Sequence, residues 1–266
     1  MSKEVAEKAA TSVAVASRFA ELSISGFEEV ASDDLAIPFI RLLQAGSPQV
    51  KKNDALYIEG AGEGDILNTV QNCFYDGQEG IQVIPAYYNR RFVEWIPRTN
   101  DGGGFVDSHP LDTPLLNEAV PNEKGVPVLG NGNELVNTAN FYCLAILDGK
   151  AQHVLIPMSS SALKKAKQWV TMAQTQTYTK EDGELAIQPM FNNVYKLSSL
   201  AETNKHGSWA NWAVEHVRSL DIENNPEEAN WFELAFAFAK SVKAEEVRIV
   251  DSPAHDADVT TDDSVM

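Results

Sequence analysis

Between Tyr87 and Trp95 the chain reads Tyr-Tyr-Asn-Arg-Arg-Phe-Val-Glu-Trp, so the rings of Tyr87, Tyr88, Phe92 and Trp95 are interleaved with Arg90 and Arg91, and Arg98 follows shortly after. Flat rings offer faces on which unpaired bases stack, for about 1–3 kcal/mol per base, while guanidinium groups meet backbone phosphates or stack as well. The pattern therefore points to a single-stranded nucleic acid. It is equally the pattern of a strand whose rings fill a core and whose arginines are solvated. Lys164, Lys165 and Lys167 cluster near the start of a helical stretch, with Lys180 further on. They read either as a patch that tracks phosphates or as the wet face of an amphipathic helix. Trp209 and Trp212 fall on opposite faces of an alternating strand, so one packs inward and the other is displayed, which makes Trp209 a further candidate stacking residue.

Catalytic chemistry finds little support. Gly60, Gly62 and Gly64 are spaced as in phosphate-binding loops, but no Lys-Ser/Thr follows and no helix begins there, so they read as a turn. His109, His153, His206, His216 and His255 are scattered without a partner at metal-ligand spacing, and neither a metal nor an organic cofactor is expected. Ser159, Ser160 and Ser161 lack the surroundings of a nucleophile elbow, and no carboxylate pair stands out among 38 acids. The chain is expected not to be an enzyme.

The elements that must carry these side chains are mostly strands. From Ile81 an alternation continues to Arg98 with apolar or aromatic groups on both parities, which predicts a long strand that bends and changes the face it buries. Leu135–Leu147 and Gln152–Met158 read as strands joined by the hairpin signal Asp148-Gly149-Lys150. Ser159–Ser161 open a helix over Ala162–Met172, and two further strands follow over Val194–Leu200 and Ser208–Glu215. Asn225-Pro226-Glu227-Glu228 starts a last helix, running over 227–243, whose Trp231, Leu234, Ala235, Phe238 and Val242 form a docking stripe. Upstream, Ile37–Gln44 reads as a segment that docks on the core, and Ile66–Val70 as a short strand.

This order predicts a mainly β (α+β) chain: an OB-like five-stranded barrel with an inserted helix, a C-terminal docking helix and disordered termini. The core domain is expected over residues 26–250, with a flexible arm over 1–25, a long loop near 99–133 and a disordered acidic tail over 251–266.

With a net charge of −17 over 266 residues, a phosphate-binding chain would be unexpected were the charge even. It is not. Between Ile81 and Lys180 nine Lys or Arg meet eight Asp or Glu, whereas both ends are strongly acidic. The middle is thus free to present a local basic face. The two cysteines, Cys73 and Cys143, sit in apolar strand-like contexts and read as reduced core residues, and no apolar run approaches the roughly 18 residues needed to cross a bilayer. A cytoplasmic protein is expected.

Three stretches, Asp34–Gln44, Gly80–Trp95 and Lys205-His206-Gly207-Ser208-Trp209, make residues 30 to 220 resemble the single-stranded DNA-binding proteins of tailed bacteriophages. The resemblance implies an OB-fold, sequence-tolerant binding of single-stranded DNA in replication and recombination, and location in the host cell cytoplasm. It further implies recruitment of replication or recombination proteins through the acidic tail, here Asp256, Asp258, Asp262 and Asp263, and leaves a homo-oligomer open. The chain departs from that family in ending Ser264-Val265-Met266 rather than in an aromatic residue. Two other readings of the same sequence are an acidic regulator that binds a host protein and a structural component of a virion.

Overall fold

The structure, a computed structural model, describes residues 37–99, 102–205 and 207–244, apart from the side chains of Arg98 and Thr99. All of them fall in the second of the two units into which the chain divides, at Leu35/Ala36. The arm expected over 1–25 and the tail expected over 251–266 lie outside the described residues. In chain order the elements are β1 (Ile40–Leu42), β2 (Ile66–Asn68), β3 (Cys73–Tyr75), β4 (Ile81–Thr99), β5 (Gly102–His109), β6 (Val120–Pro121), β7 (Pro127–Val128), β8 (Glu134–Leu147), β9 (Lys150–Ser159), helix α1 (Ala162–Gln174), β10 (Thr177–Thr179), β11 (Leu185–Ile187), β12 (Asn193–Asn204), β13 (Gly207–Ser219) and helix α2 (Pro226–Lys243).

The long strands β4 and β8 pair antiparallel along most of their length, from Gln82↔Ile146 to Trp95↔Glu134, and form the spine of an eight-stranded, curled antiparallel sheet. At the lower end of the spine β12 pairs with β4, β13 with β12, and β9 with β8. At the upper end β5 takes the edge of β4 that β12 leaves open, and β7 continues from β8 to β6. Two small antiparallel sheets, β1–β2–β3 and β10–β11, complete the strands.

The half-barrel leaves an opening between β9 and β13, and the segment Pro38–Gln44 spans it. On one side the Leu155 amide donates to the Pro38 carbonyl at 2.8 Å, and Phe39 bridges Leu155 in parallel. On the other, the Gln44 side chain donates to the Ala210 carbonyl at 2.9 Å and accepts from the Ala210 amide at 3.0 Å, as a neighbouring strand would.

Both faces of the spine are buried, which explains why neither parity of its sequence is polar. Ala139, Phe141, Cys143 and Ala145 of β8 face a first core shared with Ile40, Ile81, Val83, Tyr195, Trp212 and Trp169. Trp169 of α1 stacks on Phe141, ring centroids 4.0 Å apart. Tyr142 and Leu144 face a second core, closed by Ala235, Phe238 and Val242 of α2. In β4 the side chains change parity at a bulge between Pro85 and Tyr87: Ile84 and Tyr87, three residues apart, both meet the second core, while Tyr88 meets the first. The bend expected in this strand is that bulge.

Helix α2 starts where the sequence signals it, with Asn225 Oδ1 accepting from the amides of Glu227 and Glu228 and Pro226 in the first turn. Helix α1 starts after the serine run, but Ser161 makes no capping hydrogen bond. The glycine-rich stretch before β4 is a set of turns packed on β12. Gly80 has φ +71° and lies so close to the Leu197 carbonyl that a Cβ has no room.

Two expectations about the fold need correction. The sheet has eight strands rather than five, because β4 and β8 run past the lower sheet and their free edges are taken up by β5, β6 and β7. Those three strands come from the stretch near 99–133, which is therefore not a plain loop: Gly104 pairs with Ile96 and Gly102 with Thr99 because a long strand offers them an open edge.

Candidate nucleic-acid interface

Residues that stand directly opposite in an antiparallel pair project from the same face. The pairs Asn89↔Asn140, Arg91↔Thr138 and Val93↔Val136 therefore continue upward the face that carries Tyr87, Tyr142 and Leu144, beyond the second core. In β9, Pro157 and Ser159 stand beside Asn140 and Thr138 and extend the same surface. Here a cleft opens. The polar and apolar side chains of β8 and β9 form its floor. Trp95 and Phe105 stand on one side, in edge-to-face contact with centroids 5.9 Å apart. Phe39, Arg41 and Gln44 stand on another, and Trp212 of β13 reaches it across the opening of the half-barrel.

The cleft is electrostatically simple. Arg41, its guanidinium 4.9 Å from the Phe39 ring centroid, is the one ionisable side chain among the described lining residues. Arg91 lies on the same face of the sheet, and its charge together with a hydrogen bond from Asn89 partly offsets the burial that pushes the Tyr142 hydroxyl up. On the floor, Asn140 Nδ2 donates to Asn89 Oδ1 at 3.1 Å. Of the rings that line it, Phe39, Trp95 and Trp212 are each exposed by less than about a tenth of their surface and Phe105 is half-buried, so the rings present edges and partial faces beside amides and a guanidinium.

The strand pair that carries Trp95 and Phe105 is fixed from the opposite face. Glu94, next to Trp95, is buried and accepts from Asn133 Nδ2 at 2.6 Å, with His109 Nε2 of β5 at 2.9 Å from its other oxygen. The Asn133 hydrogen bond, with help from His109, holds the Glu94 carboxyl below the usual carboxylate range against the opposing effect of burial.

The residues singled out in the sequence separate into several groups. Trp95 lines the cleft, and Arg91 shares its face. Tyr87 is half-buried edge-on to Tyr142, centroids 6.2 Å apart, and Tyr88 lies 4.9 Å from Phe141 at the rim of the first core, where burial pushes its hydroxyl up. Arg90 Nε donates to Asn137 Oδ1 at 2.8 Å, and Phe92, opposite Asn137, shares that other face. The side chain of Arg98 is outside the described residues. On α1, Lys164 and Lys167 are exposed, but Lys165 is paired with Glu202 at 2.8 Å. Burial opposes ionisation of Glu202, yet Lys165 and Asn211 together hold its carboxyl low. Trp209 is buried away from the cleft, with no described partner for its Nε1, whereas Trp212 reaches it. Asp256, Asp258, Asp262 and Asp263 are outside the described residues.

Sequence reasoning passed over Phe39, Arg41, Phe105 and Asn140. Phe105 carried a signal, being the one aromatic residue between Thr99 and Asn133. The others become neighbours only when β1 crosses the end of the sheet.

Among the described residues no group of three or more His, Cys, Asp or Glu is placed to hold a metal ion, and no helix is long and apolar enough to cross a membrane. Among the described residues, fold and site define a mainly β protein with two flanking helices and an aromatic-lined cleft beside the open side of a curled sheet. The model of the family described as Pam3 phage gp34-like protein matches residues 6–248, and the chain belongs to that family, which marks it as a phage protein. No curated protein and no solved structure matches it.

Proposed function

We propose that this protein binds single-stranded DNA without sequence preference, in phage DNA replication and recombination, and that it does so as a non-enzymatic coat protein in the host cytoplasm. The observation that carries the reading is the cleft: Trp95, Phe105 and Phe39 line it, Arg41 brings a cation, and none of its described lining residues is a carboxylate.

The wiring of the main strands supports it. Taking β4, β8, β9, β12 and β13 as first to fifth, the first pairs with the second and the fourth, the second with the third, the fourth with the fifth, and α1 lies between the third and the fourth. This connectivity supports an OB-like reading, in which β5, β6 and β7 are additions in the loop between first and second strands. In OB-folds the face of the second and third strands, flanked by the loops between first and second and between fourth and fifth, takes oligonucleotides. Here that face is the β8–β9 floor of the cleft, and the fourth-to-fifth turn carries Lys205. The acidic tail, with Asp256, Asp258, Asp262 and Asp263, is in this reading the segment that recruits replication or recombination proteins.

The test is titration of the full chain with oligo-dT while its tryptophan emission is followed. Trp95 and Trp212 line the cleft, so binding quenches the emission and added salt weakens it. An emission that stays unchanged at low salt, together with no shift of the labelled oligonucleotide on a gel, overturns the proposal.

A further inference from the structure

In the middle of the cleft floor, flanked by rings rather than by charges, lies Asn140, whose side chain is only 3% exposed on a residue that lines the cleft. One N–H of its amide is committed to Asn89 Oδ1 at 3.1 Å, which fixes the way the carboxamide is turned. Among the described residues its second N–H and its Oδ1 have no protein partner. Nor do the neighbours supply one: Thr138 Oγ1 donates to the Val136 carbonyl at 3.1 Å, and Pro157, beside Asn140 in β9, has no N–H. A nearly buried amide on a cleft-lining residue thus keeps one N–H and its oxygen without a described protein partner, and leaving such groups unpaired is costly.

The pairing edge of every nucleobase carries a donor next to an acceptor: the amino group and ring nitrogen of adenine and cytosine, the ring N–H and carbonyl of guanine and thymine. A carboxamide held one way round meets all four only because a base in a single strand is free to turn over and bring its donor against Oδ1 and its acceptor against the N–H. It cannot do so while the edge is occupied by a complementary base. We infer that Asn140 is the residue that determines specificity for unpaired bases: it takes the pairing edge of one base held between the cleft walls, and so excludes duplex without choosing a sequence. The inference rests on the reading of the cleft as a single-strand site and adds what that site recognises.

The experiment compares two oligonucleotides on the full chain, oligo-dT and the same length with difluorotoluene in place of thymine, which keeps the ring face and shape but loses the pairing edge. Wild type is expected to bind the analogue about tenfold more weakly, the factor that one unmade hydrogen bond to a buried amide corresponds to. Asn140→Leu is expected to bind the two within about twofold and to lose most of its preference for single strand over duplex. Equal binding of both oligonucleotides by wild type overturns the inference while leaving the single-strand reading in place. Binding of neither ends both. The wild-type arm needs no substitution, so the result does not depend on the variant folding.

Discussion

Trp95 and Tyr88 belong to one run of sequence, and the structure assigns them different work. The Trp95 ring borders the cleft against Phe105, whereas the Tyr88 ring packs at the rim of a core on Phe141. Replacing Trp95 by Ala is expected to weaken binding of oligo-dT by about 5- to 100-fold, the value of one stacked base. Tyr88→Phe, which keeps the buried ring, is expected to leave affinity within about twofold. Fluorescence anisotropy of a labelled oligonucleotide measures both, and a larger loss from the tyrosine variant would move the site to the other face of the sheet. At this scale the sequence is informative about which residue types are involved and silent about which of them point outward. Aromatic and Arg side chains alternate along β4 whichever face is wet, and the decision is made by the bulge at Pro85/Tyr87 and by α2 covering the lower half of one face. Phe39, Arg41 and Asn140 come from β1 and β8, so no spacing in the sequence connects them.

At the scale of elements, the cleft wall depends on how β5 is held to β4. The Glu94 carboxylate ties both strands together through His109 and also binds Asn133 just before β8. Its pKa in the folded chain lies below the ordinary 4.5, so between the two values the unfolded chain binds more protons and stability rises with pH. The contribution is complete above about pH 4.5 and drains away as the pH falls through the lowered value. Glu94→Gln is therefore expected to melt below wild type near neutral pH, with a gap that narrows as the buffer is taken from about pH 5 to about pH 3. Thermal melts across that range check it; a gap that stays constant assigns the loss to shape rather than charge. The main strands and both helices were legible because hairpin and cap signals coincide with apolar periodicity, as at Asp148-Gly149 and Asn225-Pro226. β5 was not, since its three glycines and Asp107 satisfy no strand rule and it forms only because β4 overruns its lower partners.

Over the whole molecule, the proposed function requires a chain of net charge −17 to meet a polyanion through a cleft whose described lining holds one cation. With Arg41 and Arg91 as the phosphate contacts, the slope of log affinity against log salt is expected near about −1.4 for a single strand. A slope steeper than about −4 would require further contacts, for which the exposed Lys164 and Lys167 are the first to substitute. Such shallow dependence implies that stacking and edge contacts carry most of the affinity, consistent with a neutral middle set between acidic ends. That charge arrangement, and the order in which the main strands follow one another, could be read before any coordinates; the closure of the molecule could not. It depends on Gln44, whose two hydrogen bonds to Ala210 stand where a run of strand pairing would otherwise be. A ring of strands fastened at one place by a single side chain behaves as a bracelet with a buckle. Parting it removes two hydrogen bonds, on the order of 1–3 kcal/mol, and also uncovers Ile40 and Leu42 where they share a core with Ala210 and Trp212. If the proposed single strand enters sideways past that buckle, a circular oligonucleotide is expected to bind as well as a linear one of the same length, and a gel shift of the two compares them.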